Sequence, residues 1–290
     1  MKQKEKEKET IPAGRIRDLA RQAEQNEYLT HTGFLSLSEQ SFAAAERDFF
    51  TGKRDRKGGW DEASGKWGEA GPGLYGAARS VFYGGFSEAD RKVLFFLPSY
   101  LDEEELIRRE DSGEGILSCL RLTVRGARFT KEIGHRDCLG ALMHLGIGRE
   151  QIGDILIADD GSAAFIYVLS SMADHICREL ITVGRAHVDL EIVPPSSCTV
   201  RPHLVERAGT VASVRIDSLI AMVFRLSRSA AQDLIAGEQV FADGRTVTSS
   251  SWEPSPGCRI SVRGHGKFIF DGEEKTTRKG RILVKTRVFS

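Results

Sequence analysis

The chain has 290 residues, with 41 Lys and Arg against 41 Asp and Glu, and 40% of its residues are apolar. That length and apolar content support two or three folded domains and exclude a largely disordered chain. The longest unbroken apolar run, Ala163 to Leu169, falls far short of the ~20 residues that span a bilayer. The start, rich in Lys, Gln and Glu, does not resemble a signal peptide, so a cytoplasmic protein with no membrane partner is expected.

In chain order, residues 1–10 read as a disordered tail. Helix is favoured from Arg15 to Tyr28 and from Ser38 to Phe50, with Ser38 as an N-cap. Residues 51–76 hold eight glycines and mixed charges, and read as a surface insertion that cannot bury a face. Strands are expected at Ser80 to Tyr83 and Lys92 to Leu97. The stretch from Ile116 to Val193 then runs strand, helix, strand, strand, helix, strand, which is the split β-α-β arrangement. Phe165 and Tyr167 alternate onto one face of its third strand, either as a stacking platform for bases or as core.

Beyond Pro194-Pro195, apolar residues at Ile216, Leu219, Ile220 and Val223 mark a short helix. A second helix runs from Arg228 to Ala236, capped by Ser227 or by Ser229 with Gln232, and Gly237 ends it. Val240 to Val247 is a hairpin turning on Asp243-Gly244, and a strand follows at Arg259 to Val262. The fold expected is therefore α+β in three parts. These are a helical region (1–78, with the insertion 51–76), an α/β sandwich resembling RNA-recognition folds (79–193), and a small C-terminal module (194–290, core 212–263).

The neutral total hides an uneven charge distribution. Residues 201–290 carry 15 basic against 9 acidic side chains, a surplus of six that the rest of the chain balances. A basic module on an acidic body is the electrostatic pattern of a protein that meets phosphate. Arg215, Arg225 and Arg228 flank the two predicted helices, and the start of the second helix offers free amides and a positive dipole end. Asp217 can hold Arg215 or cap the first helix. A second basic group, Arg121, Arg125, Arg128, Lys131 and Arg136, surrounds the first strand of the middle domain as a candidate secondary contact, joined by Arg149.

Catalytic and metal signatures are weak. Cys119, Cys138, Cys177, Cys198 and Cys258 are scattered, as reduced thiols are. The nearest approach to a ligand set is His135 and Cys138, with His144 further on and then His175 and Cys177. His135-Arg136-Asp137 spells a kinase catalytic loop without its glycine-rich loop or strand lysine. No metal or cofactor is expected.

Arg215-Ile216-Asp217, the run Leu226 to Gln232, Leu234-Ile235, Gly237 and Val240 to Gly244 resemble the S-four (αL) RNA-binding domain. The body resembles the YlmH family, which includes cyanobacterial photosystem II S-four domain proteins. The resemblance lies in Val81 to Phe86, His135-Arg136-Asp137 with Leu139 to Met143, Leu145 to Ile155 and Arg263 to Phe268. That resemblance implies a monomeric, non-catalytic RNA-binding protein acting on the large ribosomal subunit. There it would contact rRNA and peptidyl-tRNA and support an alanine-tailing quality-control factor. The RNA-binding set it implies is Arg215, Asp217, Arg225, Ser227, Arg228, Ser229, Gln232, Arg245 and Lys267. Two alternatives stand beside it: an rRNA-modifying enzyme with His135 and Asp137 as its acid–base pair, and a cell-division-linked interaction protein.

Overall fold

A computed structural model describes residues 11–50, 60–61, 66–67, 79–126, 133–161, 163–277 and 280–289. The expected tail at 1–10, most of the insertion at 51–76, and Arg128 and Lys131 lie outside the described residues. The chain divides into two compact units, Met1–Val200 and Arg201–Ser290.

The first unit opens with α1 (Ala13–Asn26), β1 (Thr30–Leu35) and α2 (Leu37–Phe50). A two-stranded ribbon follows, β2 (Trp60–Asp61) with β3 (Lys66–Trp67), then β4 (Arg79–Tyr83) and β5 (Lys92–Leu97). The N-terminal region is thus not purely helical. Strand β1 pairs antiparallel with β5, giving a three-stranded sheet in the order β1-β5-β4. The strand was hidden because Thr30 and Thr32 sit inside it, buried, with their hydroxyls satisfied by the carbonyls of Leu19 and Gly33. Ser36, rather than Ser38, begins α2: its amide donates to Glu39 Oε2 (2.6 Å), one half of a Ser-x-x-Glu capping box.

After α3 (Glu103–Ser112) come β6 (Leu117–Val124), α4 (His135–His144), β7 (Ile152–Ile157), β8 (Ala163–Leu169), α5 (Ser170–Glu179), β9 (Thr182–Val183) and β10 (Ala186–Val193). The strands form an antiparallel sheet in the order β7-β8-β6-β10-β9. This is the strand order of a split β-α-β unit with β9 added at its edge. One face, with Leu120, Leu122, Ile166 and Val168, packs Cys138 and Leu142 of α4 and Ile176 of α5. The other face, with Cys119, Phe165 and Tyr167, packs Phe34, Phe86, Val93 and Phe95 of the N-terminal layer.

Arg91 fastens these two layers. Its half-buried guanidinium donates to the carbonyls of Phe34 (2.7 Å), Arg149 (2.9 Å) and Ile152 (2.9 Å). Burial, reinforced by the nearby Arg149 charge, pulls its pKa down to about 10. Replacing Arg91 with Met removes the donors of three carbonyls. We expect a loss of about 2–4 kcal/mol, read as a lower urea midpoint with unchanged slope; a shift below about 0.5 kcal/mol would contradict the role.

The second unit consists of β11 (Leu204–Val211), α6 (Ile216–Phe224), α7 (Arg228–Ala236), β12 (Val240–Ala242), β13 (Arg245–Thr246), β14 (Arg259–Val262), β15 (Gly266–Thr276) and β16 (Ile282–Phe289). The two helices, the hairpin and β14 stand where the sequence placed them. Asp243 and Gly244 both have positive φ, 45° and 77°, as an Asp-Gly two-residue hairpin turn needs. The sheet is larger than a small hairpin, however: six strands in the order β11-β16-β15-β14-β12-β13, reaching from 204 to 289. Strand β11 is mostly exposed and β15 is broken by two bulges, so neither shows clean alternation in the sequence. Ile216, Leu219, Ile220 and Val223 are buried against Ile260, Phe268, Phe270 and Val284, giving the unit its own core.

Candidate nucleic-acid interface

Three of the sequence-predicted residues of the second unit, Arg215, Arg228 and Gln232, converge on the carboxylate of a fourth, Asp217. Asp217, in the first turn of α6, has no exposed surface. Its two oxygens accept hydrogen bonds from Arg215 (3.0 and 3.2 Å), Arg228 Nε (3.1 Å) and Gln232 Nε2 (2.9 Å). Residues 2, 11 and 15 positions away are brought together because α6 and α7 pack side by side. Burial by itself would raise the Asp217 carboxyl, but the hydrogen bonds from Arg215, Gln232 and Arg228 outweigh it. The group is held well below the usual carboxylate range.

Asp217 therefore works from beneath the surface. It orients two guanidiniums whose side chains remain 30% (Arg215) and 51% (Arg228) exposed. A planar guanidinium has five N–H donors, so each arginine keeps outward-facing donors after meeting the carboxylate. Gln232 is spent on the same carboxylate, which removes it from capping duty. Ser227 is the cap of α7, its hydroxyl accepting from Ala230 N (3.1 Å), and Ser229 is exposed with its hydroxyl 2.9 Å from that of Ser227. The amides of Arg228 and Ser229 at the start of α7 have no intrahelical partner, as at any helix start. The start of α6 differs: the carbonyls of Trp252 and Ser250 accept the amides of Ile216 (2.8 Å) and Asp217 (3.5 Å). Anion-binding capacity thus lies at α7.

The remaining candidates of this unit are dispersed. Arg225 caps the C-terminus of α6 in a left-handed conformation (φ 55°, ψ 42°) and is exposed. Arg245 is exposed on β13. Lys267 is half-buried, its ammonium 4.2 Å from the centroid of the Phe289 ring. Sequence reasoning missed Arg207, Phe224 and Phe289, which line an open cleft of about 420 Å³ together with Arg225 and His265. A usable signal was the one-sided spacing of Val205 and Arg207 on an unassigned strand.

In the first unit the secondary basic group is tied down. Arg121 pairs with Glu191 across β6 and β10, and Arg125 grips both oxygens of Asp189. Such exposed pairs are worth about 0–1 kcal/mol, and their charge is neutralised where they stand. Arg149 turns inward, toward the carbonyls of Ile152 and Gly153, and burial lowers its pKa. Arg136 is exposed in the first turn of α4. Phe165 and Tyr167 are 7% and 0% exposed, and Phe86 lies 5.2 Å from the Tyr167 ring. The sheet face on which RNA-recognition folds stack bases is therefore covered by the N-terminal layer. Asp137 accepts the Gly134 amide (3.0 Å) as part of a capping arrangement. His135 and His144 stand at opposite ends of α4. The Cys138 thiol is pushed up to about 11 by burial and by Asp137. No group of three His, Cys, Asp or Glu side chains is arranged for a metal among the described residues. No described helix is long and apolar enough to cross a membrane.

The two units define a mixed α/β protein whose basic half carries a preorganised arginine pair. Residues 122–197 match the family described as "Putative RNA-binding domain in YlmH". Over 204 residues the chain is 30% identical to "Ribosome-associated protein quality control protein P2" of Bacillus subtilis (strain 168), covering 70% of this chain and 75% of that protein. The chain belongs to the YlmH family. A solved structure, "Cell division protein ylmH from Streptococcus pneumoniae", matches 66% of this chain and 94% of its own, with a TM-score of 0.42 and 15% identity.

Proposed function

We propose that the chain is a non-catalytic RNA-binding factor of the large ribosomal subunit, acting in the quality control of stalled peptidyl-tRNA complexes. The observation that carries this is the buried Asp217 holding Arg215 and Arg228 with outward donors at the start of α7. Two guanidiniums locked at fixed spacing beside open amides suit successive phosphates of a folded RNA, with little ordering entropy left to lose on binding. In this reading the second unit is an S-four-type RNA-binding domain and the middle of the first an RNA-recognition-like fold. With its sheet face covered, that fold meets the ribosome by its helices and edges, Arg136 among them. The name of the Bacillus subtilis relative and the matched domain support a ribosomal, RNA-binding role. The partners proposed are large-subunit rRNA, peptidyl-tRNA and an alanine-tailing factor.

Salt titration tests the reading. Log K for rRNA fragments should fall linearly with log salt, and Arg215→Ala and Arg228→Ala should each reduce the slope by roughly one unit. Slopes that match wild type in both variants would overturn the phosphate assignment.

A further inference from the structure

The open cleft at the far end of α6 has a composition that the arginine ridge does not explain. Its lining combines the apolar Val205, Val223 and Val288 and the aromatic Phe224 and Phe289 with Arg207, Arg225 and His265. Among the described residues, no acidic side chain lines it. Cations around apolar and aromatic walls match a ligand that is at once anionic and planar. Phe224 and His265 have ring centroids 5.8 Å apart at 46°, and Phe224 is braced edge-on by Phe268, also at 5.8 Å. His265 is presented by a tight turn between two positive-φ glycines, Gly264 (79°) and Gly266 (116°).

Arg225 is the second observation. It occupies the left-handed C-cap of α6, where glycine is favoured and an ordinary side chain is strained. Its guanidinium has no ion pair or hydrogen-bonding side chain among the described residues. Arg207, which lines the same cleft, spends one Nη on the Val223 carbonyl (3.0 Å), which fixes its direction. A cation on a left-handed backbone position, lining the same cleft as a fixed one, is an arrangement that folding alone does not call for.

From this geometry we infer that the cleft receives a single unpaired nucleotide of the bound RNA, its base against Phe224 and His265 and its phosphate between Arg207 and Arg225. Aromatic platforms with flanking cations bind splayed-out bases in this way. Arg225 lies ten residues from Arg215, about 15 Å along a helix axis, so a strand held at the ridge reaches the cleft within a few nucleotides. The inference rests on the RNA-binding reading above.

The test uses the full chain and two labelled RNA hairpins, identical except that one carries a single bulged 2-aminopurine. We expect the bulged hairpin to bind more tightly by roughly fivefold to twentyfold, with a change in 2-aminopurine emission on binding. Arg225→Gly, which suits the left-handed backbone and should leave the melting temperature equal or higher, and His265→Ala, an exposed position, should each reduce that preference to below about twofold. Equal binding of both hairpins by the wild-type chain, with an Arg228-dependent salt slope intact, overturns the cleft and leaves the ridge standing. Absence of any RNA binding overturns both. Adenosine 5′-monophosphate that binds alone at micromolar concentration assigns the cleft to a free nucleotide and overturns the RNA assignment.

Discussion

Replacing Asp217 with Asn is expected to weaken RNA binding by about tenfold or more, although the change removes a negative charge from the unit that meets RNA. A surface that worked through net charge alone would bind more tightly after losing an acid. The geometry dictates the opposite. Asp217 is the shared acceptor of Arg215, Arg228 and Gln232, and it is fully buried. Asn keeps a single acceptor oxygen and sets an NH2 group against guanidinium donors. The arginines then swing freely, and their outward donors lose their fixed spacing.

The same substitution should cost the second unit about 2–3 kcal/mol, because three donors lose a buried, charged acceptor, a loss limited by the access of both arginines to water. For a unit of this size that is a fall of roughly 10–20 °C in Tm. The pH dependence follows from the lowered carboxyl. A carboxyl whose folded pKa lies below its unfolded value of about 3.9 contributes fully above that value and loses its contribution as pH falls further. Wild-type Tm should therefore hold steady from pH 8 to about 5 and drop below about 4, whereas the Asn variant should lack that component of the drop. Binding is to be compared well below both melting temperatures. An Asn variant that is folded and binds RNA as tightly as wild type would refute the positioning role.

Separating the two units should separate affinity from selectivity. Residues 201–290 hold the surplus of six positive charges, a core of their own and the arginine ridge. This fragment should fold alone and bind rRNA within about threefold of the full chain, since counterion release is set mainly by the phosphates it neutralises. Residues 1–200 are net acidic, and Arg121 and Arg125 are already paired with Glu191 and Asp189. They should bind naked RNA at least about a hundredfold more weakly at physiological salt. Filter binding of both fragments decides it; affinity residing in 1–200 would put the site on the wrong half.

What the sequence made legible, and what it did not, follows from the range of the interactions involved. The α6 stripe, the α7 cap at Ser227 and the Asp243-Gly244 turn depend on residues within four positions of one another. So does the pairing of Arg215 with Asp217. Convergence of Arg228 and Gln232 on that carboxylate requires the packing of two helices, which no local spacing encodes. The order of the β6–β10 sheet could be anticipated from element order, but covering of its Phe165 and Tyr167 face by Phe34 and Phe95 could not. It depends on β1, whose buried threonines broke the alternation that identifies a strand. Strand β11 escaped because it is exposed along most of its length, and Arg207 and its cleft escaped with it. Arg149 looked like a surface cation because nothing in its neighbours reveals that it turns toward carbonyls.

The most direct measurement of the central claim is sedimentation of the tagged full-length chain with ribosomal particles on a sucrose gradient, beside the Arg215→Ala/Arg228→Ala double variant. The wild-type chain should co-migrate with free large subunits, and preferentially with those that carry peptidyl-tRNA, while the double variant remains at the top. A wild-type chain that stays at the top, or a double variant that co-migrates equally well, would contradict the account.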